Sequence, residues 1–205
     1  MSQHRPLTLF SFLLALCLAL SCASSLAQDE VTSLAPWQGT WNSAESFLGE
    51  EVFQDAYAAL AETMDMPAEA VQAMLTGMMQ AGGVGSFVIT DEEIAAYADR
   101  NGEGDLLFRA AFAYNGKKTV TGEFQGISFT ADWYQFALQG DGPEAYTYLV
   151  LGEVEAEEGS MVHFHYRFGA ESFDALTGMT EDWYPTMCDP SVTAESLLAE
   201  LLSGE

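Results

Sequence analysis

Apolar positions along this chain recur with two different periods. Over residues 51–62, Val52, Phe53, Tyr57, Leu60 and Ala61 fall at helical spacing. Pro67 opens a second helical stretch, proline being well suited to a first turn. That stretch runs through Val71, Met74, Leu75, Met78 and Met79 and stops at Gly82-Gly83. Its methionine stripe reads as a core-facing surface. After Gly85 the period becomes two. Residues 86–90 and 94–98 form short strands, 106–114 a longer one, and Asn115-Gly116 reads as a hairpin turn. Residues 118–124, 127–138, 145–151 and 161–168 continue the series, separated by Gly/Asp-rich breaks such as Asn101-Gly102-Glu103-Gly104-Asp105. Two short helices close the chain, near 172–179 and over 193–202, the second carrying Leu197, Leu198, Leu201 and Leu202. Strands and turns in regular alternation predict an antiparallel meander rather than crossover units. The fold class is mainly β with flanking helices. A helical segment at about 51–81 precedes a barrel at about 85–169, with C-terminal helices at about 171–203.

The first 27 residues follow a different rule. His4 and Arg5 precede a nearly unbroken apolar run over 7–20, closed by small and polar residues, and Ser25-Leu26-Ala27 fits a signal-peptidase site. The run is too short for a comfortable membrane span, which needs about 20 residues, and no later segment qualifies. Residues 1–27 are therefore expected to be a signal peptide, with 28–205 a single exported domain that is periplasmic or secreted. A lipoprotein linked through Cys22 is the less favoured form, because the leucine expected three residues earlier is missing. Cleavage also removes Cys17 and Cys22 and leaves Cys188 alone, so no internal disulfide forms in the mature chain.

Charge narrows the partners. The chain carries 31 acidic and 6 basic residues, a net charge of −25. Nucleic acid and anionic membrane surfaces both demand a positive face and are poor partners, so no nucleic acid is expected. The acidity suits a solvated surface and a general attraction for cations, but it selects no site.

Chemistry concentrates in Val162-His163-Phe164-His165-Tyr166-Arg167-Phe168, which holds both histidines of the mature chain. Alternate residues of a strand share a face. Val162, Phe164, Tyr166 and Phe168 make one apolar row; His163, His165 and Arg167 make the other. Two imidazoles two residues apart can meet one cation, and imidazole suits zinc, copper or nickel. A solvent-facing polar row gives the same pattern. No G-x-S-x-G, phosphate-cradling G-x-x-x-x-G-K or H-E-x-x-H occurs, and nothing sets two carboxylates opposite each other, so no enzymatic activity is expected. The aromatic residues Trp37, Trp41, Trp133, Tyr134 and Trp183 read mainly as core, with Trp133 and Trp183 as candidates for a barrel mouth.

The surroundings of this strand resemble a known family. His163-Phe164-His165 with Phe168-Gly169, Ser172, Leu176, Trp183 and Pro185-Thr186 look like the C-terminal signature of the ZinT (YodA) family. Trp37-Gln38-Gly39-Thr40-Trp41-Asn42-Ser43 is similar to its opening segment. Tyr114-Asn115-Gly116 and Trp133-Tyr134-Gln135-Phe136 fall where it has a tyrosine-rich hairpin and an aromatic strand. The resemblance implies a calycin-like (lipocalin-like) barrel that binds zinc in the periplasm, with cadmium or another divalent transition metal as further cargo. It implies three histidines on neighbouring strands, two of which map to His163 and His165. The third should fall near Gly152, where this chain has no histidine. Glu153 is the expected substitute, with Glu155, Glu157, Glu158 and Cys188 as other donors. A lipocalin-like binder of small organic molecules is the alternative, since Gly39-Thr40-Trp41 also resembles lipocalins. In that reading the histidines are remnants and Arg167 faces an anionic ligand.

Overall fold

The computed structural model describes residues 31–124, 127–156, 160–178 and 183–203. The expected signal peptide, Glu157 and Glu158 lie outside these. Eight antiparallel strands close into a barrel in sequence order: β1 Gly39–Ser43, β2 Ser86–Ile89, β3 Glu93–Tyr97, β4 Leu106–Phe124, β5 Ile127–Gln139, β6 Tyr148–Leu151, β7 His163–Gly169 and β8 Thr186–Cys188. The helices are α1 Glu51–Met64, α2 Ala68–Met79, α3 Phe173–Gly178 and α4 Ala194–Ser203.

Closure depends on β8, three residues long, which pairs with β7 on one side and β1 on the other. Full closure removes the exposed sheet edge that a meander would otherwise leave. The interior is filled with aromatic and aliphatic side chains, among them Trp37, Phe87, Phe136, Leu149, Phe164 and Tyr166, each at most 1% exposed. Edge-to-face contacts such as Trp41 on Phe164 and Trp37 on Phe136 fix their packing. The alternation that marked these strands in the sequence is therefore an inside-outside alternation about a solid core.

A second core lies between the outer wall and the helices. Phe53, Tyr57 and Leu60 of α1, Val71, Leu75, Met78 and Met79 of α2, and Leu197 and Leu201 of α4 gather with Cys188 of β8. The methionine stripe thus faces a core, as the helical spacing predicts. Pro67 stands just outside α2 in extended conformation, its carbonyl accepting from the Ala70 and Val71 amides. α1 ends at Asp65 in the left-handed region (φ 52°).

Asn115-Gly116 is not a hairpin turn. β4 runs through it, and the β4–β5 register shifts between Tyr114 and Gly116, the mark of a bulge. Gly116 has φ +129°, so the glycine serves a kink rather than a reversal. Beyond the bulge the two strands stay paired as far as Phe124 and Ile127. β3 meets β4 only up to Ala111, and β6 meets β5 only from Tyr134. The distal part is therefore a two-stranded arm, braced by α3 through Lys118 and Asp174 at 2.7 Å.

Candidate metal centre

β7 sends Phe164 and Tyr166 into the barrel and His163, His165 and Arg167 outward. Outward here does not mean into solvent. Helices cover this part of the wall, and His163 is 8% exposed, Arg167 only 2%. Across the β7–β8 ladder, His163 stands opposite Cys188 and His165 opposite Thr186.

On the β6 side the register changes. Tyr148 to Leu151 pair regularly with Gly169 to Tyr166, and Gly152 N–H donates to the His165 carbonyl. Continuing that register would set Val154 opposite His163. Glu155 stands there instead, exchanging both backbone hydrogen bonds with His163 at 2.8 and 3.0 Å. One extra residue between Gly152 and Glu155 thus puts Glu153 and Glu155 on opposite faces, although two residues apart in a regular strand they would share one. Glu155 joins the histidines. Glu153 turns the other way, its Oε1 accepting from the Tyr134 hydroxyl at 2.9 Å. The expected third donor and the one brought to the imidazoles are therefore different glutamates.

Donor atoms of Glu155, His163 and His165 all lie within 4.8 Å of one another, the one such group of three among the described residues. His163 Nε2 is 3.8 Å from Glu155 Oε2, and the two imidazole centroids are 5.2 Å apart. Zinc–ligand bonds of about 2.0 Å in a tetrahedron separate ligands by about 3.3 Å, so the group needs only a small contraction to close on one ion.

Hydrogen bonds outside the group set the tautomers. The Thr186 hydroxyl donates to the Tyr184 carbonyl, which leaves its oxygen to accept from His165 Nδ1 at 2.9 Å. His163 Nδ1 lies 2.9 Å from the Met161 carbonyl, which can only accept. Both rings therefore carry the proton on Nδ1 and present a bare Nε2, the arrangement that a metal-binding histidine needs. His165 Nε2 is fully buried and has no hydrogen-bond partner. A buried acceptor in that state costs about 1–3 kcal/mol unless something occupies its lone pair. The donor set and this orphaned nitrogen fit a divalent cation.

The electrostatics agree. Although part of the residue reaches solvent, burial around the ring pushes the His165 pKa down to about 3, with smaller contributions from His163 and Arg167. The ring stays neutral at physiological pH, so no proton competes for Nε2. A narrow cavity adjoins the pair, with about 20 Å³ open to the centre of a water molecule. Its walls include Met78, Met79, Met161, Tyr184, Leu197, Glu200 and Leu201.

The other candidates are placed elsewhere. Cys188 is buried beside His163 but lies outside the donor group. Burial first, and Asp189 second, raises its thiol pKa to about 12, so it stays protonated. Arg167 donates from Nε to the Trp183 carbonyl and from Nη1 to that of Leu176, with its guanidinium over the rings of Trp133 and Tyr184. It ties α3 and the Trp183 segment to the wall. Trp133 packs with Val150 and Leu176 under α3, and Trp183 donates to the Gln80 carbonyl, so neither opens a barrel mouth. Sequence reasoning missed Thr186 and the Met161 carbonyl as the groups that orient the imidazoles. The usable signal was the E-x-E spacing of Glu153 and Glu155 preceding H-x-H, though it does not say which glutamate faces the histidines.

A closed eight-stranded barrel with two imidazoles and a carboxylate gathered on its wall belongs to the lipocalin-like class, with a candidate metal centre outside the barrel. The chain is a member of the ZinT (YodA) family, described as periplasmic lipocalin-like zinc-recruitment proteins, whose model matches residues 24–204. Solved structures share its fold, two of them zinc-bound. The Zn(II)-bound ZinT-like domain of Streptococcus pneumoniae AdcA is 22% identical with a TM-score of 0.59, over 88% of this chain and 94% of that one. Zn(II)-bound AdcA from Streptococcus pneumoniae is 21% identical with a TM-score of 0.63, over 92% of this chain and 38% of that one. A comparison with curated proteins finds no match. Among the described residues no helix is long and apolar enough to cross a membrane.

Proposed function

We propose that this protein is exported with cleavage after Ala27 and binds one zinc ion in the periplasm through His163 Nε2, His165 Nε2 and the Glu155 carboxylate. It retains and releases the metal without catalytic turnover. The observation that carries this reading is the buried, partnerless Nε2 of His165, presented by a tautomer that Thr186 holds. Zinc accepts a two-imidazole, one-carboxylate set, and the same set suits other divalent transition metals, cadmium among the possible cargoes. Glu155 takes the place of a third histidine, so the loaded site carries one net positive charge fewer than with three neutral imidazoles. Membership of a zinc-recruitment family supports the assignment. The filled barrel interior gives no support to a small organic ligand held inside it.

Thermal unfolding tests the reading. A ligand that binds only the folded state stabilises it by about 2.7 kcal/mol at a hundred times its dissociation constant. For a domain of this size that corresponds to a rise in Tm of about 5–11 °C. Zinc should produce such a shift in the wild type and none in His163→Ala; an equal shift in both would remove His163 from the site.

A further inference from the structure

Three protein ligands leave zinc one coordination position short of its usual four. Glu155 approaches the imidazoles along the barrel wall. The cavity adjoining them lies under α4, and among the described residues Glu200 is the one carboxylate in its wall. Helical spacing sets Glu200 on the same face as Leu197 and Leu201, which are buried in the helix-covered core at 1% and 2% exposure. That packing directs the Glu200 side chain toward the wall. His165, whose Nε2 is buried without a partner, lines this same cavity.

We propose that Glu200 supplies the fourth ligand, so that α4 closes over the metal as it binds. The inference rests on the His163–His165–Glu155 reading above. Charge gives the reason. A divalent cation with two neutral imidazoles and one carboxylate keeps a net charge of +1. The thioether and aliphatic groups of Met78, Met79, Met161, Leu197 and Leu201 solvate such a charge poorly, and a buried charge without compensation is costly. A second carboxylate makes the site neutral. Glu200 lies outside the group whose donors fall within 4.8 Å of one another. Filling the fourth position therefore requires its side chain, or the end of α4, to move inward, which makes the helix a metal-responsive cover.

Zinc titration by calorimetry of the chelator-stripped chain, in wild type, Glu200→Gln and the His163→Ala/His165→Ala double variant, tests this. Amide hydrogen exchange across 194–203 is followed with and without zinc. Glu200→Gln keeps the side chain's size while removing its charge, and its metal-free Tm is measured alongside to separate a loss of folding from a loss of binding. It should weaken zinc binding by at least the 10–100-fold that loss of an outer-shell partner costs. Zinc should protect the amides of 194–203 in the wild type and not in Glu200→Gln. Wild-type affinity and protection in Glu200→Gln, with binding lost in the double variant, would overturn the role of Glu200 and leave the three-donor site standing. Undiminished binding in the double variant would overturn the site itself.

Discussion

Two glutamates on one loop, Glu153 and Glu155, face opposite ways because one residue is inserted between Gly152 and the ladder partner of His163. Glu155→Ala should weaken zinc binding by more than the 10–100-fold typical of an outer-shell loss. Glu153→Ala should leave affinity within about threefold, since it removes only the acceptor of the Tyr134 hydroxyl. Calorimetric titration of the two variants reads this directly. His165 contributes a pH dependence of stability in the metal-free protein. In the unfolded chain it takes up a proton near pH 6.5, whereas in the folded chain burial delays this to about 3. Between those values the unfolded state binds more protons, so stability falls as pH falls, by at most about 1.4 kcal/mol per unit from this group. About a unit above pH 6.5 the slope from this group has faded away. Tm measured from pH 7 to 5 should decline in the stripped wild type and decline less in His165→Asn.

At the scale of elements, the Asn115-Gly116 pair separates a turn from a bulge. Both residues would matter in a two-residue hairpin turn, where each central position takes a positive φ. In the bulge only Gly116 does, at +129°, with nothing within 4 Å of where a Cβ would lie. Gly116→Ala should therefore destabilise by about 1–3 kcal/mol through backbone strain alone. Asn115→Ala should be nearly neutral in the same chemical denaturation experiment. Most strands were legible: period-two alternation marked β2, β3, β5, β6 and β7 to within a few residues, because one face of each packs a solid interior, but it split β4 in two at Asn115-Gly116. β1 and β8 were not. β1 spans five residues and β8 three, and alternation shows in neither. Asn-Gly was misread because turns and bulges ask for the same glycine. The paired histidines were legible as a pair, since their spacing depends only on a strand. The choice between Glu153 and Glu155 was not, because it turns on a register shift between β6 and β7 that no local pattern encodes. Nor did the pattern show that the outward face of β7 lies beneath helices, which makes His163 and Arg167 buried rather than solvated.

The whole molecule is a packed barrel whose interior is occupied by its own aromatic side chains, with its candidate chemistry on the outer wall beneath α2 and α4. That division separates this chain's site from a ligand-filled barrel. The proposed site predicts one specifically held ion, against the diffuse attraction that a net charge of −25 exerts on any cation. The most direct test is a zinc titration by calorimetry of the stripped mature chain beside the His163→Ala/His165→Ala variant, at about 0.15 M salt, where the Debye length is about 8 Å and surface attraction is screened. One equivalent bound by the wild type and none of comparable affinity by the variant is the expected result. Equal weak binding by both would contradict the account and reduce the metal association to the acidity of the surface.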